Sequence, residues 1–416
     1  MMNVAYLDNN ATTLMPEAVV AEMARWANHG NPSANYASAK GVRAMMDEFR
    51  AFILRGCAAR DYDVIFTSGA TEANNMIVRG VIERARRRMS GAELHVVASA
   101  IEHKSILLAL DDLVRAIPEL RLTLVGPDAG GHIRAQDFAR AVRASTVLAI
   151  CMHGNNETGA VNDINAIARA VRGRGGTRVF MMADIVQTFG KIPVALRGEI
   201  DGASVSFHKL HGPPGVGCAI VRRAAFAGVG TLLSGTQEGG ARGGTENAIG
   251  IGTAFAAARL VFAQMTATTA HELALKGRAI AALSARAPVT TLADYMGART
   301  KLELQIVAVC DRGMMDPARY LPGTLMVSVV KHIGPPACNT LIRDVLERAR
   351  VIVSVGSACN TSAEGHSHVL RAMNLPSVVM DGAIRVSMCG YTTADEIDRF
   401  VDGFLGEAQR QYRTAK

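Results

Sequence analysis

Two lysines in this chain directly follow a histidine, His103-Lys104 and His208-Lys209, and only eight of its 45 basic residues are lysine. Side chains able to condense with an aldehyde are therefore few. Lys209 follows the apolar run ASVSF and precedes the turn His211-Gly212-Pro213-Pro214-Gly215, a position from which an amine reaches a ligand at a sheet edge. Lys104 opens a helical segment and reads as a surface residue. Asp184 ends the run TRVFMMAD, with Gln187 three residues on. A carboxylate closing an apolar strand is costly without a partner, so it reads as site-facing; the plain alternative is an N-cap. The turn Thr67-Ser68-Gly69-Ala70-Thr71-Glu72 joins a strand to a helix, where free N–H groups and the positive dipole end suit a phosphate. A simple cap by Ser68 or Thr71 would use the same residues. An amine for an aldehyde, an acid for a ring nitrogen and a cup for a phosphate are together what pyridoxal phosphate requires.

These residues need a scaffold that brings strand ends together. DVIFTS, ELHVVASA, RLTLV, STVLAICM, TRVFMMAD and ASVSF are apolar, strand-like runs. Helical patterns separate them at about 71–88, 104–115, 135–143 and 163–172. This alternation predicts an α/β fold, a mainly parallel sheet flanked by helices, with ligands at the carboxyl ends of the strands. Beyond about residue 250, an Ala-rich helical stretch over 251–285 leads to TLMVSVV, VIVSVGSAC and AIRVSM, with helices between and a terminal helix. That texture predicts a smaller α+β domain. The expected division is 16–255 for a large domain, and 1–15 with 256–416 for a small one carrying Cys359.

Composition removes several other classes. The chain has 416 residues, 49% hydrophobic and 20% charged, which excludes disorder and coiled coil. Apolar runs such as TVLAICM and IGIGTAFAAA are shorter than the ~20 residues that span a bilayer, and no signal peptide precedes Tyr6. A cytoplasmic protein is the expectation. Seven cysteines are present with no CxxC pair, against a zinc ribbon or thioredoxin-like motif. The net charge of +8 is dispersed, and its densest cluster, Arg84 to Arg88, ends a helical segment without interleaved aromatics. Neither nucleic acid nor membrane is an expected partner.

Taken in order, YLDNNATT (6–13), NPSANYASAKG (31–41), FTSGATEANN (66–75), EHKS (102–105), HGNNETG (153–159), DIVQTFGK (184–191), SFHKLHGPPGVG (206–217), ARGGTEN (241–247), GSACNTS (356–362) and IRVS (384–387) span nearly the whole chain. The ordered set resembles the cysteine desulfurases of the iron–sulfur-cluster-assembly type, in the class V branch of fold-type-I pyridoxal-phosphate enzymes. The resemblance implies that Lys209 holds the cofactor aldehyde and Asp184 pairs with the ring nitrogen. Gln187 and Asn156 would face the phenolic oxygen and the substrate, and His103 would stack on the ring and move protons. Ala70, Thr71, Ser206 and His208 would hold the phosphate, joined by Thr245 of a second subunit in a homodimer. Arg385 would clamp the carboxylate of L-cysteine, a bidentate task suited to guanidinium. Cys359 would take the sulfur as a persulfide and pass it to an acceptor protein such as an iron–sulfur scaffold, or toward tRNA thiolation, with no metal in the site.

Three positions depart from the family pattern: Tyr36 stands where His is usual, Gly239 where Arg is frequent, and Pro214 where a basic residue is common. Residues 286–320 match poorly. Cys57, Cys151, Cys218, Cys310, Cys338 and Cys389 read as buried small hydrophobes. His366 and His368, two residues apart at a helix start, do not share a face and are not expected to bind metal. A related lyase acting on selenocysteine, or an aminotransferase, is the alternative reading, though the latter needs no thiol.

Overall fold

The computed structural model describes residues 4–28, 30–355 and 366–414, so Cys359 lies outside the described residues. Seven strands form the main sheet in the order Tyr62–Thr67, Gly217–Arg222, Gly202–Ser206, Phe180–Asp184, Thr146–Ile150, Leu94–Ser99, Leu120–Val125. Neighbours are parallel except on either side of Gly217–Arg222, which runs against both its partners. Sequence reading did not separate out this antiparallel strand. It arises because the chain doubles back after Lys209 through a short Gly/Pro turn and pairs Gly217 with Ser206.

Side chains along the parallel strands alternate between two cores, as the two-residue period of a strand demands. Val97, Ala149, Met181 and Ala183 join one core, while Val96, Ala98, Leu148, Ile150, Phe180 and Met182 join the other. Both faces are covered by helices, among them Ala70–Arg88, Lys104–Ala116 and Ile164–Gly175. This is why the strands read as unbroken apolar runs rather than as alternating ones.

A second sheet has the order Ala383–Ser387, Thr324–Lys331, Leu304–Ala308, Val289–Thr291, antiparallel in its first two pairings and parallel in the third. Near it, Ala5–Tyr6 pairs in parallel with Val351–Ile352. Ala5 and Leu7 thereby share a core with Val327, Ile384, Phe400 and Phe404. The helix Ala394–Arg413 covers this core and starts at a capping box between Thr393 and Glu396.

One helix, Ala248–Ser284, runs 37 residues without a break. Its N-terminal half buries Ile251, Ala254 and Phe255 in the core of the large sheet, and its C-terminal half buries Leu275, Ala279 and Leu283 in the second core. The expected boundary at 255/256 falls inside it. Among the described residues, this helix alone is long and apolar enough, by length and composition, to cross a membrane. The shorter apolar runs read from the sequence understate it. Its buried residues are divided between two protein cores, as in a core helix.

Of the cysteines expected to be buried, Cys57, Cys151, Cys218 and Cys310 are. Cys338 is exposed, with its Sγ 3.2 Å from Thr340 Oγ1, and Cys389 is only partly buried. Both follow strands of the second sheet, where the chain leaves the core. His366 and His368 go to different partners, Asp381 Oδ1 at 2.7 Å and the Glu102 carbonyl at 2.9 Å.

Candidate active site

Five carboxyl ends of parallel strands meet on one side of the large sheet, and each delivers a side chain singled out above. After Tyr62–Thr67 the chain turns at Gly69, with φ +152° and ψ 177°, and enters the helix beginning at Ala70. Only glycine adopts that conformation readily. A Cβ on Gly217, across the turn, would stand 2.5 Å from the Val205 carbonyl and 2.6 Å from Gly69 Cα. Two glycines therefore nest where the anion turn packs on the antiparallel strand. Glu72 fixes the turn, accepting from Ser68 N at 2.8 Å and from Arg242 Nε at 2.8 Å. The first-turn N–H groups at Ala70 and Thr71 sit at a helix N-terminus, the usual place for a phosphate.

Ser206 is buried beside this turn and His208 is half-buried, its Nδ1 3.1 Å from Thr12 Oγ1. Burial and the nearby Lys209 and Lys191 charges push His208 down to about 4, so it is a neutral ring. Thr245 is exposed after Gly244, whose φ is +101°. Among the described residues, no hydrogen bond joins it to the phosphate turn of its own chain.

Asp184 is buried at the end of its strand, accepting from Val186 N at 3.0 Å and from Asn74 Nδ2 at 3.2 Å. Burial pushes its carboxyl above the usual range, against the opposing pull of that N–H, His103 and Asn74. Nearby Glu102 is wholly buried and pushed up to about 8, by burial first; its Oε1 accepts from Met152 N at 2.6 Å and from Ser99 Oγ, while Oε2 has no partner among the described residues. Next to it, His103 caps the helix Lys104–Ala116, its Nδ1 accepting from Ser105 N at 3.2 Å. That bond leaves Nε2 to carry the proton of the neutral ring. Burial, Lys209 and His368 lower its pKa, and Asp184 opposes them.

Lys209 rests its Nζ on two backbone carbonyls, Asn10 at 2.8 Å and Ala11 at 2.5 Å. Burial, then the positive charges of Lys191 and Arg385, bring it down to about 7. The N-terminal segment carrying those carbonyls is itself tied across the molecule. Thr13 N donates to the His208 carbonyl at 2.9 Å, Asn10 N to Ser387 Oγ at 2.9 Å, and Asn10 Nδ2 to Thr324 Oγ1 at 2.8 Å. Asn10 Nδ2 also reaches the Asn156 carbonyl, which accepts from Arg385 Nη1 at 3.1 Å. Arg385, on the second sheet, is ion-paired with Asp8 and, among the described residues, keeps a buried Nε without a partner.

The sequence-predicted Lys209, Gln187, Asn156, His208 and Arg385 are thus linked through the segment 10–13, Asp184 and His103 are linked through Asn74 and Ser105, and the phosphate turn adjoins Ser206. Asp8, Asn10, Asn74, Glu102 and Lys191 were not assigned roles from sequence, although each lies within or beside a quoted motif. The residues fit pyridoxal phosphate. Asp184 is a buried carboxyl group whose two hydrogen-bond donors, Val186 N and Asn74 Nδ2, are neutral, so its charge is left for a protonated ring nitrogen. Lys209 is an amine brought down to about 7, so that a large share is free of its proton near neutral pH, and among the described residues its Nζ is hydrogen-bonded only to carbonyls. Among the described residues, no group of His, Cys, Asp and Glu is arranged to hold a metal.

A sheet of this topology with a strand-end lysine and a buried strand-end aspartate defines a pyridoxal-phosphate-dependent enzyme of fold type I. The sequence model of the aminotransferase class-V family matches residues 5–400. The chain belongs to that family. It is 34% identical over 408 residues to a cysteine desulfurase of Cereibacter sphaeroides, covering 96% of this chain and 95% of that protein. It is 30% identical to the cysteine desulfurase IscS of Dictyoglomus turgidum, covering 97% and 94%. A solved NifS-like protein superposes with a TM-score of 0.80 at 27% identity, covering 96% of this chain and 98% of that one.

Proposed function

We propose that this enzyme is a cysteine desulfurase, which removes sulfur from L-cysteine, releases L-alanine and carries the sulfur as a persulfide on Cys359. The observation that carries this reading is where the chain leaves and re-enters on either side of residues 356–365. Before them, Ser354 exchanges two backbone hydrogen bonds with Arg385, at 3.1 and 2.7 Å. After them, Ser367 Oγ donates to Glu157 Oε2, and His368 Nε2 donates to the carbonyl of Glu102, the neighbour of His103. The described residues that flank Cys359 in sequence thus include Ser354, paired with the arginine suited to a substrate carboxylate, and His368, bonded to the neighbour of the histidine suited to proton transfer. The relatives named cysteine desulfurase support the same reading.

Bound pyridoxal phosphate supplies an electron sink for bonds at the substrate Cα and Cβ. Asp184 holds the ring nitrogen protonated. Arg385 orients the substrate carboxylate with its guanidinium, whose Nη1 also donates to the Asn156 carbonyl and whose Nη2 pairs with Asp8. Lys209, as free amine, accepts the Cα proton, and His103 Nε2 is the second proton carrier at the face of the site. The Cys359 thiolate forms an S–S bond to the substrate sulfur. The C–S bonding pair stays with Cβ, which takes a proton, so that cysteine and an enzyme thiol become alanine and an enzyme persulfide.

The sulfur passes to an acceptor protein, such as an iron–sulfur scaffold or a factor for tRNA thiolation, in the cytoplasm. The working form is a homodimer in which Thr245 of each protomer completes the phosphate site of the other. Incubation with L-cysteine tests the reaction: alanine and sulfide should appear in equal amounts with a thiol reductant, and Cys359→Ala should abolish both while retaining the cofactor. Keto-acid production without sulfide would favour an aminotransferase. Lys209→Ala should lose the visible absorbance of the bound cofactor, and Lys104→Ala should keep it.

A further inference from the structure

Lys191 is the second lysine of this site, and nothing above gives it a task. It stands four residues after Gln187, on the turn that follows the strand ending in Asp184, behind Gly190 with φ +76°. Its Nζ is 3.1 Å from Gln187 Oε1 and 3.4 Å from Asn10 Oδ1. An ammonium has three donors and no acceptor, so it can bind only the oxygen end of each carboxamide. Both amides are thereby held in one of their two orientations. The Gln187 Nε2 end is turned to the Asn10 carbonyl at 3.0 Å, the same oxygen on which Lys209 Nζ rests at 2.8 Å. The Asn10 Nδ2 end is turned to Thr324 Oγ1 and the Asn156 carbonyl. One cation therefore sorts the polar ends of two amides beneath the reactive lysine, and both amines lean on Asn10.

We propose that Lys191 is a positioning residue for Lys209: it locks the Gln187 and Asn10 amides around the reactive amine and opposes the amine's protonation by its own charge. It rests on the assignment of Lys209 as the cofactor lysine. The charges acting on Lys209 are Lys191, Arg385, Asp8 and Asp184, with His103 and His208 close by. Those acting on Lys191 are Glu272, Cys389 and Arg385. Burial brings Lys191 down to about 8, and Glu272 of the long helix, itself raised to about 7 by burial, opposes that by favouring the ammonium. A lysine freed of its proton by a neighbouring cation and by burial is a recognised way to make an amine nucleophilic near neutral pH.

The test uses the full chain freed of cofactor. Lys209 acetylation by acetic anhydride is followed against pH by mass spectrometry, because only the free amine reacts. In the unmodified protein the midpoint should lie near neutral pH. In Lys191→Gln, which keeps a hydrogen-bonding amide but removes the charge, it should rise by about one pH unit, a tenfold loss of free amine below the midpoint. Lys191→Met should shift it as far, and Lys191→Arg should hold it within about 0.3 pH unit of the original. A folded Lys191→Gln protein with an unmoved midpoint overturns the proposal, as does Lys191→Arg behaving like Lys191→Gln. If Lys191→Met does not fold, Lys191→Gln decides alone. Should Lys209→Ala retain the visible cofactor band, the assignment of Lys209 fails while the midpoint result still reports on the pair.

Discussion

Arg385 and Asp8, 377 residues apart in the chain, form an ion pair whose side chains are only 3% and 15% exposed. It ties the N-terminal segment to the second sheet, and it offsets the charge of the guanidinium proposed above to engage the substrate carboxylate. Asp8→Asn should therefore act in two directions. Melting should show a loss of about 1–3 kcal/mol, because a buried cation loses its partner. The KM for L-cysteine should fall, because the substrate no longer competes with Asp8. Arg385→Lys should raise KM by roughly thirtyfold, about 2 kcal/mol of binding. Initial rates over a range of cysteine concentrations separate the two, and an Asp8→Asn protein with a KM raised like that of Arg385→Lys would contradict the competition.

Gly217→Ala should be far more damaging than an exposed glycine change. Its Cβ meets the Val205 carbonyl and the Gly69 backbone, neither of which can move without opening the anion turn. The expected cost is about 2–3 kcal/mol. Cofactor affinity should weaken with it, measured by equilibrium dialysis. Gly173→Ala, at an exposed helical position with nothing beyond its own helix within 4 Å, is the control: it should leave cofactor affinity unchanged and stabilise the fold by about 0.5–1 kcal/mol.

Glu102 makes stability pH-dependent in a defined direction. Its folded pKa, about 8, lies above the unfolded value of 4.5, so the folded state holds a proton that the unfolded state has lost. The contribution is complete below pH 4.5 and is lost as pH rises toward 8, with a slope of up to about 1.4 kcal/mol per pH unit. Glu102→Gln, neutral at every pH, should match the parent at pH 5 and be the more stable protein at pH 8. Denaturant melts at the two values check this, and a parent that gains stability relative to the variant at pH 8 refutes it.

Thr245 tests subunit sharing. A mixture of Lys209→Ala and Thr245→Ala protomers, each nearly inactive alone, should regain about a quarter of parental activity after exchange, since some dimers then hold one intact site. Recovery that is absent under exchange, or full activity in a sedimenting monomer, would rule out the shared site.

Residues at strand ends were legible because a parallel sheet writes its strands as apolar runs and its ligands sit where those runs stop. Lys209, Asp184 and the turn at Gly69 were found that way. What stayed hidden depends on contacts across the chain. Asn10 meets Lys209 at a separation of 199 residues, and Asp8 meets Arg385 at 377; no local pattern marks either. Glu102 and Lys191 lie inside quoted motifs, but burial, which sets their chemistry, has no sequence signature at a charged residue. Lysine scarcity was a signal for Lys191. No adjacent histidine marks it. Cys338 and Cys389 were misjudged because a cysteine's burial follows from where its strand ends, and apolar composition does not report that.

The helix Ala248–Ser284 bears on how this enzyme can move. At about 1.5 Å per residue it is some 55 Å long, and both cores are built on it. Swinging the second sheet toward the first as a rigid lid would require bending a continuous helix, with neither proline nor a π-bulge to soften it. The separation between Arg385 and Lys209 is thus set like the jaws of a fixed gauge. Every α-amino acid carries its carboxylate and its amine on the same Cα, so such a gauge would seat their backbones alike and leave selection among them to the groups that meet the side chain.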